Sequence, residues 1–363
     1  MRVLERLDRL YAIGAGRGAN RLGGSPEEDA AHKLVAGWMR DAGLEVSVDP
    51  AGNLFGRLPG KRPELPEVWT GSHLDTVPGG GRFDGALGVV GGLEAAERGG
   101  QRERTLAVVA FRDEEGCVGR GVFGSRALCG GLGDDEAPEL DRGGWLEPRP
   151  AAFVELHVEQ GPRLERAGVP VAVVSGIVAM SHGEVVFEGQ PGHAGTTPMP
   201  EREDAFVKAA EFALRLRDAA AGVEGAVATV GRAVVEPGAT NVIPARVILG
   251  VDVRAPDRER LETVLAVVPG ELRVIDPVTM AERPRAALRT ELERVGVPVP
   301  EVVSGAGHDA GVLAAAGVPT AMLFVRSLNG GISHSPDELS AEDDIEQAIA
   351  VLSGALARLA SVD

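Results

Sequence analysis

The residues able to do chemistry sit in five short polar stretches of the chain. The first runs Gly71-Ser-His73-Leu-Asp75-Thr-Val-Pro-Gly-Gly-Gly-Arg-Phe-Asp84-Gly-Ala-Leu-Gly88. His73 offers a nitrogen donor and Asp84, at a helix start, an oxygen donor. Asp75 lies two residues past His73, on the same side of an extended chain, where it can accept the proton of the other imidazole nitrogen. The second stretch, Arg112-Asp-Glu114-Glu115-Gly116, leaves a fully apolar run. Adjacent carboxylates at the end of a buried strand repel each other and resist desolvation, so they call for a cation or a proton-handling role. The third, Glu155-Leu-His157-Val-Glu-Gln160-Gly161, sets an imidazole in an apolar strand, where a hydrogen-bonded core histidine is the commoner finding. Gly192-His193-Ala-Gly-Thr-Thr197 and Gly331-Ile-Ser-His334-Ser-Pro-Asp-Glu338 complete the set. Singly, each reads as a polar turn or acidic loop. The chain has only seven histidines, however, and three of them stand with acidic residues at strand ends or loops of one predicted α/β domain.

His73, Asp84, Glu115, His157 and His334 together supply three imidazoles, two carboxylates and no thiolate. That donor set suits Zn²⁺, Mn²⁺, Co²⁺ or Ni²⁺ and disfavours Ca²⁺ or Mg²⁺. Two such ions, roughly 3.5–4 Å apart, can share a carboxylate and provide a nucleophile at neutral pH. Glu114, left over from the donor set, can take the proton of water and pass it to a leaving nitrogen. The choice among these metals does not follow from ligand types, because affinity order and cellular supply both intervene.

These groups need a scaffold, and the apolar patterning predicts one. Helix spacing marks 4–13, 27–42 and 86–98, the second preceded by a capping Ser25, an N1 proline and two first-turn carboxylates. Strands are predicted at 44–48, 53–58, 68–72, 105–111, 152–158 and 169–175, a short helix at 121–128 and a surface loop at 129–150. Beyond Gly176 the order becomes strand 184–188, helix 201–218, strands 227–235 and 246–254, helix 258–267 and strand 272–278. That β-α-β-β-α-β order is a split βαβ unit of ordinary domain size. Helices at 286–295, 308–316 and 342–360 with a strand at 319–325 then return to the first domain. The expected architecture is an α/β catalytic domain with a mixed sheet, residues 1–178 and 284–363, interrupted by an inserted α+β domain at 179–283.

Composition narrows the function. A formal net charge of −17 argues against nucleic acid and acidic membranes. Aromatic content of 4% leaves few bases-stacking platforms. Only Cys117 and Cys129 are present, which points away from a disulfide framework and toward a reducing cytoplasm. No apolar run has the length of a membrane span, and the charged N-terminus reads as a helix instead of a signal peptide.

At this level of detail the chain resembles the aminoacylase and carboxypeptidase-G family of di-zinc hydrolases, in its carbamoylase and allantoate amidohydrolase branch. The resemblance rests on the first three stretches above, and on Phe123-Gly-Ser-Arg-Ala-Leu128, Gly192-His-Ala-Gly-Thr-Thr-Pro-Met199 and Ala239-Thr-Asn-Val-Ile-Pro244. It also includes Asp252-Val-Arg254, Ser304-Gly-Ala-Gly-His-Asp-Ala310 and Ser333-His-Ser335, all in family order. It implies a zinc-exopeptidase-like catalytic domain with Asp84 bridging two zincs, and His73 and His157 as ligands. It implies Glu115 and His334 as the remaining ligands, Glu114 as general base and Asp75 as the residue orienting His73. By the same carry-over Gln160, His193, Asn241 and Arg254 hold the substrate, and the inserted domain is a lid through which a homodimer forms. The implied reaction is hydrolysis of an N-carbamoyl L-amino acid to amino acid, carbon dioxide and ammonia. Allantoate is the alternative, and a dipeptidase, a deacylase or an inactive metal-binding relative stands further off. Three departures bear on substrate identity: Cys117-Val-Gly119 where the branch carries an Arg-Phe-like pair, Gly79 where Asn is common, and a short 129–150 segment.

Overall fold

The computed structural model of the chain describes residues 2–100, 102–117, 120–141, 143–298 and 300–361. It separates into two compact units, Met1–Gly176 with Thr279–Asp363, and Ile177–Val278. Residues 279–283, read from sequence as the tail of the inserted domain, thus belong to the first unit, and Ile177 and Val178 to the second.

In chain order the first unit begins with α1 (Arg2–Tyr11), α2 (Pro26–Asp41), β1 (Glu45–Val48), β2 (Leu54–Leu58), β3 (Val68–His73) and α3 (Ala86–Arg98). It continues with β4 (Leu106–Phe111), α4 (Phe123–Leu128), β5 (Ala152–Val158), α5 (Arg163–Ala167) and β6 (Val171–Ile177). The inserted unit follows as β7 (Ala179–Glu188), α6 (Ala205–Ala221), β8 (Val227–Glu236), β9 (Arg246–Ala255), α7 (Arg258–Leu265) and β10 (Arg273–Ile275). Then come β11 (Val278–Thr279), α8 (Glu282–Arg294), β12 (Glu301–Ser304), α9 (Asp309–Ala315), β13 (Thr320–Val325) and α10 (Glu342–Ala360).

The larger sheet is mixed, in the order β1-β2-β4-β3-β5-β13-β6-β11, with β12 against β6. Its centre, β4-β3-β5-β13, is parallel throughout. Every residue of these four strands is buried. Helix-covered parallel strands have no wet face, which is why they read as near-continuous Val, Ala, Leu and Phe instead of alternating. α3 is small and apolar for the same reason, and is buried from Ala86 to Ala96.

The inserted unit is a four-stranded antiparallel sheet, β10-β7-β9-β8. β9 alternates, with Val247, Leu249, Val251, Val253 and Ala255 buried. They share a core with Phe212 and Leu216 of α6 and Leu261 and Val264 of α7.

The last strand predicted for this unit, 272–278, is split. Arg273–Ile275 pairs with β7, whereas Val278–Thr279 belongs to the larger sheet. Pro277 between them has no N–H for a ladder, so one continuous strand cannot form. α8 begins before Pro284, where a first-turn proline loses no helix bond. α5 and β12, of five and four residues, are too short for a periodic signal and were not predicted. No helix among the described residues is long and apolar enough to cross a membrane.

Candidate active site

All four parallel strands end on the same edge of the sheet, and each delivers one part of the site. His73 is the last residue of β3 and pairs in register with Phe111, from which the chain turns into Glu114 and Glu115. His157 is the penultimate residue of β5 and pairs with Phe324 of β13, whose following loop carries His334. The pairing of β3 with β5 runs from Val68↔Ala152 to Thr70↔Val154 and stops short of the histidines. β4 lies on one side of β3 and β5 on the other, so the strand order reverses here, the place where open α/β sheets bind ligands. Asp84 enters from the loop before α3. Gly85 follows it at φ 61, and a Cβ there would lie 2.4 Å from the His73 ring, so only glycine lets loop and imidazole approach this closely.

The donors converge on Asp84. Its Oδ1 is 3.2 Å from His157 Nε2 and 3.9 Å from His73 Nε2. Its Oδ2 is 3.3 Å from His334 Nε2, and Glu115 Oε1 lies 3.5 Å from the same nitrogen. Two groups able to hold a metal ion therefore share this one carboxylate: His73, Asp84 and His157, all buried, and Asp84, Glu115 and His334, open on the His334 side. Glu114 stands beside the first group, its Oε2 3.8 Å from His73 Nε2.

The ring tautomers leave lone pairs facing inward. His157 Nδ1 donates to the carbonyl of Val158 at 2.9 Å, so Nε2 is bare. His73 Nδ1 faces Asp75, 3.2 Å from its carbonyl and 3.3 Å from Oδ1. His157 Nε2 and Asp84 Oδ1 are buried and make no hydrogen bond despite their separation. A bare imidazole nitrogen facing a carboxylate oxygen is repulsive until a cation lies between them, and these residues fit one.

The crowding shifts the titratable groups of the site. Burial, then the neighbouring charges of Glu115 and Asp309, drives the Glu114 carboxyl well above its ordinary range, though His73 opposes this. Burial and then Asp84 push Glu115 up to about 7. For His73, burial favours the neutral ring, but Glu114, Asp75 and Glu115 outweigh it and hold the imidazole well above its ordinary range. Hydrogen bonding to Asp84 lifts His334 to about 9. Buried carboxylates and imidazoles packed this closely shift one another in these directions.

Asp75 does more than orient His73. Its Oδ1 accepts the N–H of Glu114 at 3.1 Å and its Oδ2 that of Glu115 at 3.0 Å, so one carboxylate sets an imidazole and both glutamates. Glu28 of α2 was missed as a site residue. The Ser-x-x-Glu pattern accounts for Glu28 N donating to Ser25 Oγ at 3.2 Å, while its carboxylate accepts Gly24 N, one residue before the cap, at 2.7 Å. It does not reveal that the other oxygen accepts Asp113 N at 3.0 Å, anchoring the turn before Glu114 from behind.

Gln160 lies within the cluster, at φ 56, with Nε2 donating to Asp84 Oδ2 at 2.9 Å. The other three residues expected to hold substrate are in the inserted unit. His193 and Asn241 are neighbours there: His193 bridges to Val242, and Ala194 N donates to the Asn241 carbonyl at 3.0 Å. Arg254 lies on β9, its Nε 2.8 Å from Asp252 Oδ1 and its Nη2 3.2 Å from Oδ2. Of the three departures, Cys117 is exposed, and Val118 and Gly119 fall outside the described residues.

The model of peptidase family M20/M25/M40 matches residues 69–358. The chain belongs to this family. It is 37% identical over 399 aligned positions to an N-carbamoyl-L-amino acid amidohydrolase of Geobacillus stearothermophilus, covering 97% of this chain and 96% of that one. It is 32% identical over 421 positions to an allantoate deiminase of Arabidopsis thaliana, covering 95% and 80%. The crystal structure of a hydantoinase/carbamoylase-family amidase from Burkholderia vietnamiensis superposes with a TM-score of 0.87 at 32% identity, over 99% and 97% of the two chains.

Proposed function

We propose that this M20-family protein is a metal-dependent amidohydrolase that cleaves N-carbamoyl L-amino acids to the amino acid, carbon dioxide and ammonia. The observation that carries the reading is the pair of donor groups sharing Asp84, with Glu114 beside them and inward lone pairs left unmatched. Two divalent ions held by His73, Asp84 and His157 and by Asp84, Glu115 and His334, zinc first among the candidates, would polarise the ureido carbonyl and activate water at neutral pH.

The chain's own groups do the rest. Glu114, kept basic by burial and crowding, takes a proton from the attacking water and delivers it to the leaving nitrogen. Asp75 holds Glu114, Glu115 and His73 in register throughout. Gln160 presents its amide to the ureido group. By the family resemblance, Arg254, paired with Asp252, is the residue for the α-carboxylate, and Asn241 and His193 are further donors to substrate. Allantoate also sets a carboxylate beside ureido groups, and the relative named allantoate deiminase supports it as the second substrate reading.

Ammonia release from N-carbamoyl L-amino acids and allantoate, and free amino acid release from N-acyl amino acids and dipeptides, should be followed after chelation and after adding back Zn²⁺, Mn²⁺, Co²⁺ or Ni²⁺. Ammonia from carbamoyl substrates, abolished by chelator and restored by metal, is the expected outcome. Amine release from dipeptides or acyl amino acids alone would overturn the assignment.

A further inference from the structure

The stretch that delivers His334 also contains Glu338, a residue with no part in the reaction described above. Its side chain is buried, with 5% of the residue exposed, and both carboxylate oxygens are committed. Oε1 accepts the backbone N–H of Phe83 at 2.7 Å and that of Asp84 at 3.0 Å. Oε2 accepts the Ser333 hydroxyl at 2.8 Å, and the same hydroxyl lies 3.2 Å from Asp84 Oδ2. One carboxylate thereby ties together two loops some 250 residues apart, one bearing Asp84 and the other His334.

We propose that Glu338 is the positioning residue of the outer cation site, the one formed by Asp84, Glu115 and His334. The inference rests on the two-ion reading of the cluster. The inner site of His73, Asp84 and His157 takes two donors from strand ends that the sheet itself fixes, and only Asp84 from a loop. The outer site takes Asp84 and His334 from the two loops that Glu338 joins, so two of its three donors depend on this bond network. Removing Glu338 frees both loops and weakens the outer site far more than the inner one.

The glycine-rich stretch shows what this clasp requires. Gly81 has no positive φ, so its backbone would accept any residue, yet a Cβ there would sit 2.2 Å from Glu338 Oε1. Glycine at 81 leaves room for the carboxylate to reach the two amides. Gly81→Ala keeps Glu338 in the chain but displaces its carboxylate, and so tests the contact separately from the residue.

The experiment is a competitive titration of metal-free wild type, Glu338→Ala, Glu338→Gln and Gly81→Ala with Zn²⁺ against a chromophoric chelator. Both binding constants are read for each protein, together with the melting temperature without metal. Outer-shell partners typically set metal affinity by about 10–100-fold. Glu338→Ala and Gly81→Ala should weaken the second, looser constant by that factor and the first by much less. Glu338→Gln, which still presents one oxygen to the two amides, should retain most of the looser affinity. Two unchanged constants in Glu338→Ala, an equal loss at both sites, or Glu338→Gln as damaging as Glu338→Ala would each overturn the positioning role. Wild type binding fewer than two ions would instead overturn the two-ion reading, and the inference with it.

Discussion

Glu114 and Glu115 are chain neighbours held by the same aspartate, yet they face different partners. Glu115 Oε1 approaches His334 at 3.5 Å, within the outer donor group, while Glu114 Oε2 approaches His73 at 3.8 Å. Both glutamates also come within reach of His73, so ligation and proton transfer are divided by which of the two lies nearer His334 and the outer group. Glu114→Gln should therefore keep its bound metal but lose turnover by about 10²–10⁴-fold, the usual weight of a general acid–base residue. Metal analysis beside steady-state kinetics checks this. A near wild-type rate in Glu114→Gln, with turnover lost and metal retained in Glu115→Gln, would reverse the two roles. These residues were legible in sequence because chemistry restricts their types: an imidazole or carboxylate ending an apolar strand is conspicuous. Glu28 and Glu338 were not, because their roles depend on which distant N–H they meet, and spacing along the chain carries no such information.

At the scale of elements, strands 105–111 and 152–158 were legible because helix-covered parallel strands must be apolar at every position, whereas β10 and β11 were read as one because the break is a single proline. α2 illustrates a further gap between pattern and structure. Its pattern gives two first-turn carboxylates but not their burial: Glu28 is fully buried, with His32 one turn later at 3.8 Å. Burial, then the Arg112 charge, lowers His32 to about 3, while Asp75 and Asp29 oppose the shift. Burial also pushes Glu28 up to about 7 against the pull of Arg112. The signs differ. Unfolded His32 takes a proton near pH 6.5 and the folded ring does not, so its contribution is complete above 6.5 and lost as pH falls. Glu28 holds a proton in the fold that the unfolded chain gives up near 4.5, so its contribution is present below that pH and lost as pH rises toward 7. Between about 4.5 and 6.5 the two slopes offset each other. His32→Gln removes only the acid-sensitive partner. Melting of metal-free proteins at pH 7, 6 and 5 should show the variant gaining on wild type at each step down, and a difference independent of pH would refute the assignment.

On the scale of the whole molecule, we propose that the working unit is a homodimer formed through the inserted unit. Phe206, Ala210 and Leu214 form an exposed stripe at four-residue spacing along α6, with Val207 beside it. Identical chains meeting through such an apolar helix face would form a two-fold dimer. In such an assembly His193 would act as a donor. It is exposed, and Gly195 N donates to its Nδ1 at 3.1 Å, so the neutral ring carries its proton on Nε2. A donor placed on the oxyanion that forms as water attacks is worth about 10²–10³ in turnover, which sets the expected loss in His193→Ala. If His193 serves the partner's site, two inactive proteins should repair each other. In a heterodimer of Glu114→Gln with His193→Ala, the His193→Ala subunit keeps its own Glu114 and receives an intact His193 from its partner. The other site lacks both groups. Random subunit exchange makes half the dimers mixed, so about a quarter of wild-type activity should return. If His193 instead serves its own chain, every site in the mixture lacks one group. Heterodimers verified by mass spectrometry that recover no turnover would rule out the role in trans.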